Sequence, residues 1–485
     1  MRRSLGHRFR RTTLLLMLCT GLVGGVGLAH TGRILPAALV WCAGLIVLFS
    51  WRAHGIGAVG ACLLLGLGLG WWRGSLHFQQ LSIYDTFRYQ KVTLTARAME
   101  DAYYGKTGQL TFNANDIRLD DGTRLPGRIK LSGFGANAVF QGDEVVAAGK
   151  LYSGYGIYQG SISFAEIEVT AHHPTLIGTI RRKFTAGMQT AMPEPLAPFA
   201  MGLLVGQRAN LPEEVKEDLL RVGLTHIIAV SGYNLTIILH ASRNLLGKRS
   251  KRISTLLSLG LIGMFLLLAG ASASIVRAAI VSVLSVAAGY YGRGFKPLNL
   301  IMLAAAITAL ANPVYVWSDL SWYLSFLAFF GVMVVSPLLQ ARWPARWQKS
   351  IAGTVVLESL CAGIMTEPFI LHIFNQMSLI SLPANVLVVA LIPLAMLLST
   401  VAGLAGMLAG AYSGWLAWPA KALMNYMLDV AHLLSGVPHT FIEHRSLPLG
   451  GMLGLYAVVA GLAWMFGHKT RQLKNATITD KNEWS

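Results

Sequence analysis

Apolar residues run along this chain in long blocks, near residues 12–30, 34–50, 56–72, 227–246, 254–272, 274–291, 298–312, 320–339, 351–372, 385–409, 414–437 and 448–467. A hydrocarbon layer of about 30 Å needs about 20 helical residues to cross it. The pattern therefore predicts a polytopic α-helical membrane protein with about 10–12 transmembrane helices. Between residues 78 and 172 the pattern changes to short strand-like runs: VTLTARAM, QLTFNANDIRL, RIKLSG, EVVAAGKLY and ISFAEIEVT, broken by DDG at 120–122 and QGD at 141–143. About five strands in about 95 residues predict a small OB-like β-barrel domain inserted among the helices.

The organisation expected is three N-terminal helices in residues 1–76, the OB-like β domain in 78–172, an amphipathic linker in 175–224, a polytopic domain in 225–468 and a tail in 469–485. Within the linker, PLAPFAMGLLVGQ at 195–207 is expected to be interfacial or re-entrant.

Composition supports the membrane reading: 54% of residues are hydrophobic, 13% are charged and the mean hydropathy is +0.53. The formal charge of +18 reports topology first, because its basic clusters in 2–11, 248–252, 342–349 and 469–474 flank apolar runs. Under the positive-inside rule all four face the cytoplasm if three crossings precede an extracytoplasmic β domain and nine follow it. Both termini are then cytoplasmic, and the protein is a multi-pass plasma (inner) membrane protein. The N-terminus resembles a signal peptide and reads as an uncleaved anchor, since further apolar runs follow at once. Cys19, Cys42, Cys62 and Cys361 all fall inside predicted spans, which leaves no disulfide or zinc pattern.

Polar residues inside apolar runs are the candidate functional positions. THIIAVSGYNLTIILH, residues 225–240, carries His226, Ser231, Gly232 and Asn234 where lipid offers no hydrogen bond. Such residues turn toward a wet path or toward a neighbouring helix that they pack against. Arg277 interrupts GASASIVRAAIVSVLS and must pair, line water or snorkel toward the interface. Glu367 precedes Pro368, a point where the 351–372 helix is expected to bend or break; Glu358 lies on its opposite face.

In the β domain, Tyr103, Tyr104, Phe112, Phe134, Tyr152, Tyr155 and Tyr158 could supply stacking surfaces, and Tyr103, Tyr104, Tyr152 and Tyr155 are the candidate DNA-stacking aromatics. The alternative is that they fill the barrel or pack on the membrane. Acidic and basic residues roughly balance there, so the basic footprint of a strong nonspecific nucleic-acid binder is absent. GKRS at 247–250 is not a P-loop, and VPHTFIEH at 437–444 is not HExxH. No catalytic residue, cofactor or metal site is assigned. An intramembrane serine hydrolase using Ser231 with His226, and a small-solute transporter with broken helices, are the alternative functions.

MGLLVGQRANLPEEVKEDLLRVGLTHIIAVSGYNLTIIL at 201–239 resembles the signature of the ComEC family of competence proteins. LLLAGASASIVRAAIVSVLS at 266–285, PLNLIMLAAAITALANPVYVWSDLSWYLSFLAFFGV at 297–332 and SLCAGIMTEPFILHIFNQMSLISLPANVLVVALIPLAML at 359–397, with Phe374, Ser378 and Asn385, resemble its further segments in order. The resemblance implies a channel for single-stranded DNA during natural transformation, without enzymatic activity of its own. It also implies a DNA receptor on the outer side and a cytoplasmic helicase or translocase that pulls. Membrane lipid is the surrounding partner, and assembly as a homo-oligomer is left open. Two departures stand out. The family often reads SGLHVG where this chain has Ser231-Gly232-Tyr233-Asn234-Leu235-Thr236, and longer members carry a metallo-β-lactamase-like domain with an HxHxDH motif that this sequence lacks. A short member with a separate nuclease is therefore expected.

Overall fold

The computed structural model describes residues 11–31, 56–105, 108–136, 138–173, 176–206, 211–228, 251–270, 273–292, 296–340, 344–348, 350–443, 445–463 and 465. The chain divides into two compact units, Met1–Lys183 with Arg293–Tyr323, and Phe184–Gly292 with Leu324–Ser485. Among the described residues, six helices are long and apolar enough to cross a membrane: Arg11–Leu28, Gly57–Thr86, Ala273–Tyr290, Leu320–Gln340, Gly353–Phe374 and Ser381–Ala409. Leu196–Val205, Pro297–Ala311 and Leu449–Ala463 are apolar but shorter. The spans expected at 34–50 and across most of 227–246 lie outside the described residues.

In the first unit, the helices Arg11–Leu28 and Ile56–Leu81 pack through glycines spaced four apart. A Cβ at Gly21 or Gly25 would strike the carbonyl oxygen of Leu63 or Leu67, and one at Gly66 or Gly70 that of Leu18 or Leu22. The two backbones touch. Small residues at this spacing let helices associate in lipid, where hydrophobic burial between them gains little. The Pro297–Ala311 helix joins the pair, with Asn299 Nδ2 donating to the Thr12 carbonyl at 3.1 Å.

The β domain is a closed ring of five main strands: β1 (Lys91–Ala98), β3 (Leu110–Leu119), β5 (Ile129–Phe134), β6 (Glu144–Ser153) and β7 (Gly160–Ala171). Two-residue strands β2 (Tyr103–Tyr104) and β4 (Arg124–Leu125) extend β3. β1 pairs β3, β3 pairs β5, β5 runs parallel to β7, β7 pairs β6, and β6 returns to β1. This circuit closes an OB-like barrel and leaves no long open edge. Alternation turns Leu94, Phe112, Leu131, Val145 and Ile162 inward, each fully buried. Asp143 ties the β5–β6 loop to the end of β7: its carboxylate accepts from Phe140 N at 2.9 Å, His172 Nδ1 at 2.9 Å and His173 N at 3.3 Å.

The second unit has one large core that draws on residues 188–228 and 384–431. Residues 175–224, expected as a linker, include the helix Leu196–Val205, in which every residue from Leu196 to Leu203 is buried. Its ten residues span about 15 Å, too short to cross a bilayer. Apolar composition on all sides made it a core helix. Gly187 on Leu176–Ala191 faces Gly406 on Ile392–Ala409 with no room for a Cβ on either.

The helix Ile351–Phe374 does not break at Pro368 but runs on to an αL cap at Asn375. Tyr456 OH donates to the nearby Met365 carbonyl at 2.9 Å, and His372 Nδ1 to the Leu447 carbonyl at 2.7 Å, so neighbouring chain supports the proline turn. A short ladder then joins β8 (Gln376–Ser378) to β9 (Phe441–Glu443). The region expected as a span at 414–437 forms the helix Trp418–Ser435, which is not among the six. Its buried face is Ala420, Met424, Met427 and Ala431, while Asn425, Asp429 and His432 are exposed.

Candidate functional site

Two regions gather the polar groups singled out in the sequence, one in each unit. In the second unit, Ser231, Gly232 and Asn234 lie outside the described residues. The chain leading to them is described. The helix Glu213–Arg221 starts with Glu213 and Glu214 in its first turn and ends with Arg221, each sign set at the favourable end of the helix dipole. It stops in a tight turn at Gly223, whose φ of +73° is open to glycine at little cost.

Gly223 is also a contact point. A Cβ there would lie 2.8 Å from Ser381 Cβ and 3.4 Å from Ser378 Cβ. The turn before the candidate run therefore sits directly on the loop that follows Ile351–Phe374. His226 lies in the same turn, with Nδ1 donating to the Gly223 carbonyl at 3.1 Å, which fixes its tautomer. The ring is held by its own turn, and Nε2 is left as the acceptor.

Ser378, in this contact, is one of several residues along 367–413 that carry a buried polar atom without a partner among the described residues. Glu367 Oε2, Ser378 Oγ and Asn385 Oδ1 are sealed from solvent yet meet no hydrogen-bonding group among the described residues. Ser399 Oγ on the following helix and Ser413 Oγ share that state. Most buried polar atoms in native proteins are paired, and a run of exceptions marks a place where water or a passing ligand completes the bonding. In an apolar membrane helix the cost of burying such a group is high, which makes a functional reading stronger.

Arg277 is only 1% exposed, on the helix Ala273–Tyr290. Snorkelling is thereby excluded, because a snorkelling side chain carries its head to the interface. The protein encloses the arginine in the second turn of its helix, beside buried Ile275, Ala278, Ala279, Val281 and Ser282.

In the first unit the four candidate tyrosines lie outside the barrel core, which Phe112, Tyr84 and aliphatic residues fill. Tyr104, Tyr152 and Tyr155 are exposed at 64%, 40% and 58%, and Tyr103 is half-buried on β2. Lys130 Nζ donates to Tyr155 OH at 2.8 Å, and Lys150 lies 5.9 Å from the Tyr152 ring centre. Tyr158 meets the Tyr155 ring edge to face at 5.9 Å, and Tyr89, which sequence reading omitted, meets Tyr152 in the same way at 6.1 Å. Among the described residues no group of three or more His, Cys, Asp or Glu is placed to hold a metal.

Residues 203–469 match the family described as Competence protein. The chain is also 27% identical over 228 residues to ComE operon protein 3 of Bacillus subtilis (strain 168), a match that covers 46% of this chain and 28% of that protein. No solved structure matches it. Gly223, Arg277, Glu367, Ser378 and Asn385 all fall inside the matched region, which takes in more than half of the sequence. With that match added to four ordered segments of resemblance and a helical membrane architecture carrying a β-barrel insert, the chain belongs to the ComEC family of competence proteins.

Proposed function

We propose that this protein is an inner-membrane channel that passes single-stranded DNA into the cytoplasm during natural transformation. The observation that carries the reading is the set of sealed polar atoms without a partner among the described residues at Glu367, Ser378 and Asn385, of which Ser378 lies against the Gly223 turn. A strand of phosphodiesters needs a hydrated route with distributed contacts, since tight binding would halt it. Oxygen acceptors and hydroxyls hold water without binding phosphate strongly. Arg277 supplies the cationic element of that route, and Ser231 and Asn234 its hydration or gate.

On this reading the protein performs no covalent chemistry. The force comes from a cytoplasmic helicase or translocase, and a receptor on the outer side delivers the DNA. Both termini are cytoplasmic. Support comes from the family match and from the basic clusters beside the apolar runs.

The test is a clean deletion complemented with wild type, Arg277→Ala or Asn234→Leu. Labelled DNA is scored separately outside and inside the inner membrane. Retention of DNA outside, with loss of its arrival in the cytoplasm, is the expected result. Normal arrival in the deletion strain would end the proposal.

A further inference from the structure

The loop between β6 and β7 closes over the end of the Ile56–Leu81 helix and leaves a cleft of about 280 Å³. Phe78, Tyr84, Tyr155 and Tyr158 are among the residues that line it. The loop is rigidly folded. Gly154 has no room for a Cβ against the Tyr158 carbonyl, Gly156 has a φ of +61°, and Gly154 N donates to the Gln159 carbonyl at 3.2 Å. Tyr84 OH is committed to the Pro126 carbonyl at 3.0 Å, and Tyr155 OH to Lys130, which orients both rings.

Asp85 and Arg88 stand at the mouth, both exposed and one turn apart. Neither carries an ion pair with another described side chain, so the cleft offers one anionic and one cationic seat. The apolar run Gly57–Thr86 ends here, which puts both charges where a spanning helix leaves the hydrocarbon. His30 stacks at 5.4 Å from Phe78 and 4.6 Å from Trp317, an aromatic layer of the sort found at membrane interfaces.

We propose that this cleft holds the headgroup of a zwitterionic phospholipid, with its phosphate on Arg88 and its ammonium between Asp85 and the faces of Tyr155 and Tyr158. Electron-rich ring faces attract an ammonium group, and a carboxylate beside them adds to the attraction. A nucleic-acid strand fits less well, because it brings phosphate to Asp85 and no cation to the rings. An anionic headgroup without an amine leaves the same seat empty.

The experiment uses the full chain, purified in detergent, stripped of lipid and titrated with phosphatidylethanolamine or phosphatidylglycerol, with retention read by native mass spectrometry. Phosphatidylethanolamine is expected to be retained about fivefold more, the scale of one cation–π or charge contact. Arg88→Ala, Asp85→Asn and Tyr155→Ala each lower its retention by a similar factor. Arg88→Lys restores most of it, which separates a charge contact from loss of fold. Tyr104→Ala, outside the cleft, leaves it unchanged. Equal retention of the two lipids, or indifference to all three cleft variants, would overturn the proposal. So would Tyr155-dependent binding of a thymidine oligonucleotide without any lipid preference.

Discussion

His432 Nδ1 lies 2.8 Å from the Asp218 carboxylate and joins the helix Trp418–Ser435 to the helix Glu213–Arg221. Ser435 Oγ reaches the other Asp218 oxygen at 2.6 Å. The Asp218 hydrogen bond raises the His432 pKa above its ordinary 6.5; the charge of Asp218, then of Asp429 and Glu214, adds to it. A raised histidine pKa stabilises the folded state fully below the unfolded value and loses that stabilisation as pH rises through the folded value.

Protection of the Glu213–Arg221 amides is therefore expected to fall as pH rises above the unfolded value and through the raised folded value of His432, beyond the intrinsic rise in exchange. Hydrogen exchange with mass spectrometry reads this directly. His432→Ala removes the step, while Ser435 keeps part of the contact at every pH. With 82% of the His432 side chain exposed, solvent screens the pair and the effect is small. A pH step that persists in His432→Ala would assign it to another group.

The glycine contact between Arg11–Leu28 and Ile56–Leu81 is a strict steric one. Gly25→Ala places a methyl group against the Leu67 carbonyl, while Gly24, one residue away, has nothing within 4 Å of its Cβ position. Overpacking of this kind costs about 1–3 kcal/mol. Gly25→Ala and Gly70→Ala are expected to lower the melting temperature in detergent, and Gly24→Ala to leave it unchanged or raise it. Equal effects at Gly24 and Gly25 would contradict the backbone contact.

Asp143 is 2% exposed and accepts three hydrogen bonds from Phe140, His172 and His173. Asp143→Ala removes the acceptor shared by the half-buried Phe140 N–H and two exposed histidines, a loss of about 1 kcal/mol. Asp143→Asn retains one acceptor oxygen and is expected to cost less. Differential scanning of the full chain should order the variants wild type, Asn, Ala.

Spans and strands were legible because period and length alone distinguish a long apolar helix from an alternating strand. The closure of the barrel through β1 and β3 was less so, since it depends on pairing between residues such as Leu94 and Leu119. Gly21, Gly25, Gly66 and Gly70 stood in plain G-x-x-x-G spacing, but that spacing alone does not name the partner helix. Leu196–Val205 read as interfacial because its apolar character does not distinguish lipid from protein as the surroundings. The contact of Gly223 with Ser378 and Ser381 was not legible, because no local pattern links residues so far apart in the chain. Arg277 was a clear anomaly in sequence, yet its direction was set by tertiary packing.

Glu367 offers the sharpest separation of passage from packing. Its sealed Oε2 has no hydrogen-bonding partner among the described residues, so a purely structural role predicts that an apolar replacement is tolerated. Replacing an uncompensated buried polar group with a well-packed hydrophobic one is often neutral or stabilising. Glu367→Leu is accordingly expected to keep or raise the melting temperature. If the carboxylate helps to hydrate a DNA route, the same change dries it and lowers transformation by about tenfold or more, the loss of one hydrogen bond to water or substrate. Glu367→Gln keeps an acceptor oxygen and should stay near wild type. The measurement pairs transformation frequency with thermal stability at matched membrane insertion. A Glu367→Leu variant that is stable and transforms normally would remove Glu367 from the route.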